Sequence, residues 1–159
     1  EGVFFFSGFL AFYLLGRNGK MLGSTDMIRY IQRDEEQSHL TLFIHMLQTM
    51  QQENPEVFDA EFWTEADRLF RAAVELEVSW GKHIISGGVL GITAPIIENY
   101  IKSLANKRAA AIGMALPYPG VVDPLPWVEK FSSTNIEANY FETKVTAYDS
   151  TGSGALDWD

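Results

Sequence analysis

The chain has 159 residues, 47% of them hydrophobic and 21% charged, with 12 basic against 21 acidic side chains and a formal net charge of −9. One packed domain fits that length, and collagen-like, low-complexity and disordered classes are excluded for most of the chain. The acid excess excludes a basic nucleic-acid footprint, and the lack of cysteine excludes disulfides, thiolate catalysis and cysteine-held metal clusters. Any metal must be held by carboxylate and imidazole.

The opening run EGVFFFSGFLAFYLLG predicts a buried helix over 2–15, apolar on nearly every side. It opens with an acid rather than a basic region, which excludes a secretory signal. Its uncharged stretch falls short of the roughly 20 residues a bilayer needs. Residue 1 is Glu rather than Met, and the chain is expected to begin inside a helix. A preceding segment is therefore expected, either severed or supplied as a separate piece.

A connection follows over 16–23, with Ser24 or Thr25 the predicted N-cap of the next helix and Asp26 in its first turn, where the dipole favours an acid. That second helix is predicted over 26–51. Met27, Ile28, Tyr30, Ile31, Leu42, Phe43, Met46, Leu47 and Met50 recur along it at helical spacing, and Asn54-Pro55 closes it. A third is predicted over 60–85 on Phe62, Leu69, Phe70, Ala73, Leu76 and Trp80, ended by Gly87-Gly88. Thr93 is the predicted cap of a fourth that reaches 113, with Pro95 near its start, where a missing N–H costs little. Pro117, Pro119, Pro124 and Pro126 then form an extended elbow ending at Trp127. Residues 139–159 carry Gly and Ser spacers and close on ALDWD, the pattern of a flexible tail. The expectation is an all-α domain over 1–138 with long helices, followed by the tail.

Chemistry concentrates in IQRDEEQSHL, residues 31–40, inside the long second helix. On an ideal α-helix Glu36 and His39 point about 60° apart and Glu35 and His39 about 40° apart, so either pair can touch one ion. A Glu-x-x-His unit projecting inward is the ligand unit of carboxylate-bridged dimetal sites in helical bundles, and such donors suit iron or manganese. The same residues also read as a solvated face with i, i+4 charge pairs. Glu1 weighs toward metal, because a carboxylate opening so apolar a helix is expected to be buried, and burial demands a partner. His45 and His83 read as structural or exposed.

The stretch EGVFFFSGFLAFYLLGRNGKMLGSTDMIRYIQRDEEQSHLTLF resembles the second half of the radical-generating small subunit of class I ribonucleotide reductase. That family has EG before an aromatic-rich helix, then I-R-x-I-x-R-D-E, then a histidine and an apolar run. ELEVSWGKHI, YIKSLANKRAAAIGMALPYP and DPLPWVEKF resemble its later elements, in the right order. The resemblance implies the C-terminal part of a ferritin-like helical bundle. It implies that Glu1 and His39 are metal ligands and that Asp34 is the aspartate that bonds a ligand histidine and lies on the electron-transfer route. Phe5, Phe9 and Ile31 fall on the apolar pocket around the radical site.

The family pattern is R-D-E-x-x-H, and R-D-E-E-Q-S-H is one residue longer. Counting forward makes Glu35 the ligand; counting back makes it Glu36, which the spacing favours. A single-turn π-bulge would absorb the extra residue. The family's remaining ligands and its radical-bearing residue precede the EG motif, so half of the ligand set is expected from elsewhere. In the tail, Tyr148 falls on the tyrosine that relays the radical, and ALDWD resembles the peptide that docks onto the large subunit.

The resemblance thus implies a piece of a cytoplasmic ribonucleoside-diphosphate reductase small subunit with a dinuclear iron or manganese cofactor (Fe/Fe, Mn/Mn or Mn/Fe). Its implied partners are the N-terminal half, a large catalytic subunit and a second copy of the complete small subunit, with no nucleic acid and no membrane. Two rival readings stand beside it: a ferritin-like dimetal oxidase or iron-handling protein without a large subunit, and a metal-free helical interaction module.

Overall fold

A computed structural model describes residues 2–88 and 91–133. In chain order it contains α1 (Phe6–Arg17), α2 (Leu22–Asp34), a π-helical turn (Glu35–Leu40), α3 (Thr41–Glu53), α4 (Ala60–Ile84), α5 (Ala94–Ala111) and α6 (Trp127–Ser133). The described residues contain no strand, as the all-α expectation required. None of their helices is long and apolar enough to cross a membrane.

The apolar opening run forms the central helix because α2, α4, α5 and α6 all pack against it. Phe6, Phe9, Leu10, Tyr13 and Leu14 of α1 are buried among Val74 and Val78 of α4 and Ile97, Ile101 and Leu104 of α5. The α1–α2 crossing is close. A Cβ on Gly16 would lie 2.6 Å from the Thr25 methyl, and the Thr25 hydroxyl donates to the Phe12 carbonyl at 3.0 Å.

That crossing corrects the predicted cap. Thr25 does not start the helix but is buried inside it, and α2 begins at Leu22 with no side chain capping its first turn. The boundaries of α4 and α5 fall where punctuation predicted them. The Asp59 carboxylate caps α4 by accepting from the Phe62 amide at 2.9 Å, and Thr93-Ala94-Pro95 opens α5.

The proline elbow is clamped by Asn106. Its side chain donates to the Tyr118 carbonyl at 2.8 Å and accepts from the Tyr118 amide at 3.0 Å. Beyond the elbow, which ends at Trp127 as expected, the chain forms α6, a helix that the sequence pattern did not mark. The Arg17 guanidinium lies 4.5 Å over the Trp127 ring, and Tyr13 packs edge-on to Phe131 at 5.7 Å.

Lys102 and Lys82 grip Glu98 from both sides at 2.6 and 2.8 Å, and hydrogen bonds from Lys102 and then Lys82 lower its carboxyl to about 2. A depressed carboxyl contributes stability above its ordinary value of 4.5 and loses it as pH falls toward 2. Glu98 is partly exposed, so Glu98→Gln is expected to cost less than about 1 kcal/mol at neutral pH. In urea titrations the gap to wild type should close between pH 4.5 and 2; a gap that persists at the acid end would exclude this assignment.

The far end of the long helical rod departs from expectation. The apolar periodicity of α3 marks it as a core helix, yet none of its residues is buried. Leu42, Phe43, Met46 and Met50 face outward. α3 is tied to the end of α5 through Gln48 and Gln51, which donate to the Ala111 and Ile112 carbonyls at 2.9 and 3.0 Å.

Candidate metal centre

The RDEEQSH segment folds as the π-helical turn Glu35–Leu40 between α2 and α3. A π turn accommodates one residue more than an α turn, which is the length difference in this motif. The Thr41 hydroxyl donates to the Glu36 carbonyl at 2.8 Å and helps satisfy the widened turn. Glu35 and His39, four residues apart, stay on one face through this turn: the His39 Nδ1 lies 3.0 Å from the Glu35 Oε2. Their side chains remain 57% and 36% exposed, so the pair contributes little stability as an ion pair.

Glu36 turns another way. Its carboxylate accepts from the Arg108 Nη2 at 2.5 Å and from the Gln32 Nε2 at 3.3 Å, and the Gln32 Oε1 accepts from the buried Tyr13 hydroxyl. Burial raises the pKa of that hydroxyl, the charge of Glu36 raises it further, and Arg29 opposes the shift. Arg108 also donates from Nε to the Gly2 carbonyl at 3.1 Å.

The segment next to Glu1 reaches the same place. A Cβ on Gly2 would lie 3.2 Å from the Leu40 Cδ1 and 3.3 Å from the Arg108 Cγ, so the chain flanking the first residue packs on the neighbour of His39. Glu1, Tyr148 and the ALDWD tail, with the boundary at 139, lie outside the described residues. Asp34 is exposed and accepts from the Arg33 Nε at 2.9 Å. Phe9 is core, whereas Phe5 and Ile31 are exposed. His45 and His83 are exposed, with His83 stacked on Trp80.

Glu35 and His39 stand in line with apolar side chains. Met27, Ile31, Glu35, His39, Phe43, Met46 and Met50 recur every three or four residues along the rod, and the apolar members are all exposed. A hard carboxylate beside an imidazole suits iron or manganese, but two donors do not enclose an ion. Among the described residues no group of three or more His, Asp or Glu side chains converges. The donor set therefore fits part of a metal site.

Sequence reasoning missed two charged residues here. Glu77 of α4 is 3% exposed, and its carboxylate accepts from the Phe5 amide at 3.2 Å and the Ser7 amide at 2.8 Å. Arg108 of α5 is the second. Each interrupts an apolar stripe, Val74-Glu77-Val78-Gly81 and Ile101-Leu104-Ala105-Arg108, and a charge at a core-facing position was the available signal.

The pattern of the family described as "Ribonucleotide reductase, small chain" matches residues 1–124. The ribonucleoside-diphosphate reductase subunit beta of Treponema pallidum (strain Nichols) is 41% identical over 152 residues, covering 93% of this chain and 43% of that protein. The corresponding Chlamydia pneumoniae subunit is 36% identical over 158 residues, covering 99% of this chain and 44% of its own length. Among solved structures, the ribonucleotide reductase R2 subunit from Clostridium botulinum superposes with a TM-score of 0.79 at 39% identity, covering 82% of this chain and 41% of that one. The chain thus spans less than half the length of these relatives.

Proposed function

Since the chain belongs to the ribonucleotide reductase small-chain family, we propose that it supplies half of a dimetal centre in the small subunit of a ribonucleoside-diphosphate reductase. The observation that carries this reading is a carboxylate and an imidazole 3.0 Å apart in the middle of an exposed apolar stripe. An apolar stripe of that length is a surface for another segment, and covering it would bury the pair and create the demand for a cation. The N-terminal half of the small subunit is the proposed cover.

Glu35 and His39 are the proposed ligands on this helix, with Glu1 the third from this chain. The helical spacing favours Glu36, but its carboxylate is already engaged by Arg108 and Gln32, so the distances favour Glu35. Two bound iron or manganese ions would supply the one-electron oxidising chemistry that generates a radical. Around them, the apolar stripe would exclude water once covered. Asp34 and Tyr148 are the proposed carriers of the oxidising equivalent toward a large subunit, where ribonucleotides are reduced to deoxyribonucleotides. The small subunit would work in the cytoplasm as a homodimer and do no nucleotide chemistry itself.

Metal analysis of the chain alone and combined with the N-terminal half tests this. Stoichiometric iron or manganese is expected only in the combined sample. Glu35→Gln and His39→Ala should each weaken binding by at least about 100-fold, the upper end of what loss of a ligand's supporting partner costs, whereas Glu36→Gln should leave it intact. A combined sample that takes up no metal, or a Glu35→Gln variant that binds as wild type does, overturns the reading.

A further inference from the structure

The motif offers two adjacent carboxylates to one site, and they are sorted by a residue from a distant helix. Arg108 lies on α5, its stem continuing the buried stripe of Ile101, Leu104 and Ala105. Its guanidinium is held at three points. Nη2 donates to the Glu36 Oε1 at 2.5 Å, Nε donates to the Gly2 carbonyl at 3.1 Å, and the group lies 5.4 Å over the Phe6 ring. Only 17% of the side chain is exposed. A planar fork fixed in this way offers one carboxylate a charge-assisted bond in a set direction. Glu36 receives that bond, and Gln32 holds its other oxygen. Glu35, one residue earlier, is left on the side of His39.

We infer that Arg108 is a positioning residue that keeps Glu36 out of the metal site and thereby selects Glu35 as the carboxylate presented beside His39. This rests on the metal-binding reading above. Without the guanidinium, Glu36 becomes an unneutralised, half-buried carboxylate one residue from a cation site, and the cation is then the nearest positive charge it can turn to. Arg108 also bridges Glu36 to the backbone beside Glu1, so a single guanidinium sets the geometry of both ligand-bearing segments from outside the ligand set.

Cobalt(II) loaded into the assembled small subunit (this chain with the N-terminal half) tests the inference, because its visible absorption reports ligand number and geometry. Arg108→Gln is expected to change the spectrum and shift the cobalt affinity by about 10-fold or more, the scale of a lost supporting contact at a metal site. Removing the competitor as well, in Arg108→Gln/Glu36→Gln, should restore the wild-type spectrum. Arg108→Lys, which keeps the charge beside Glu36, and Glu36→Gln alone should both resemble wild type.

A purely structural role for Arg108 predicts no such rescue, so a double variant as altered as the single one overturns the inference. An Arg108→Gln spectrum identical to wild type overturns it too. If Arg108→Gln fails to fold, Glu36→Gln and Arg108→Lys decide: wild-type spectra support the inference, and a spectrum altered as strongly as that of Glu35→Gln makes Glu36 a ligand and removes it. Failure of the unmodified protein to bind cobalt sinks the metal reading together with this one, whereas cobalt binding insensitive to Arg108 sinks this one alone.

Discussion

Replacing Glu77 by Ala is expected to lower the unfolding free energy of the chain by about 3 kcal/mol, as the buried Ser7 amide is orphaned at about 1–3 kcal/mol and the partly buried Phe5 amide adds a smaller loss. The first amides of a helix have no partner within it, and the Ser7 amide in the first turn of α1 is buried, where water cannot supply one. Glu77 does, with Oε2 for the Phe5 amide and Oε1 for the Ser7 amide. Its negative charge at the positive end of α1 adds a favourable dipole interaction.

The surroundings are built around that clamp. The Ser7 hydroxyl donates to the Glu77 carbonyl at 3.3 Å. One turn on, a Cβ at Gly81 would fall 2.7 Å from both the Ser7 Oγ and the Ile97 Cγ2, so only glycine lets α4 approach. Phe5 stands at φ 74, a left-handed conformation that costs a bulky residue about 1–2 kcal/mol, and its anchored amide offsets that strain. Glu77→Gln should lose less than Glu77→Ala, since an amide oxygen still accepts one bond while its NH2 faces a donor. Urea unfolding followed by circular dichroism reads both. A loss below about 1 kcal/mol for Glu77→Ala would mean that the two amides find other partners and the clamp has little weight.

The legible parts of the fold are those where punctuation and periodicity coincide. An apolar repeat ended by Gly87-Gly88 marks α4, and Thr93 with Pro95 bounds the start of α5. The start of α2 was misread because a threonine before an acid looks like a cap, while the hydroxyl of Thr25 is used across a helix crossing that no local pattern reveals. α6 escaped because seven residues give too little periodicity, and its helix is secured by Tyr13 and Arg17 from far away in sequence. Along α3 the periodicity correctly marks an apolar face, but periodicity says nothing of what covers it.

The candidate site was half legible for the same reason. The residue types and the extra position were plain, and the π turn that absorbs it follows from length alone. What sets Glu36 apart from Glu35 in the structure is its bond from Arg108, which lies 72 residues from Glu36 in sequence and enters only through packing.

Deleting residues 155–159 should weaken binding of the assembled small subunit to a large subunit by at least about 100-fold while leaving its metal content unchanged. The segment ALDWD carries one large aromatic, Trp158, between Asp157 and Asp159, after a Ser-Thr-Gly-Ser-Gly spacer. An aromatic seated in a desolvated pocket is the kind of group that dominates an interface, and the flanking acids favour a basic rim. A tethered peptide gains from effective concentration, with avidity enhancements of about 100-fold to 10,000-fold over its isolated parts, so losing the plug forfeits both the anchor and the tether. Trp158→Ala alone should reproduce most of the loss. The metal content is expected to stay because the proposed ligands Glu35 and His39 lie more than a hundred residues earlier in the chain. A ferritin-like oxidase without a large subunit shares those ligands but has no use for the plug. Calorimetric titration separates the two: unchanged affinity after truncation ends the docking role, while loss of metal together with affinity would make the tail part of the fold instead.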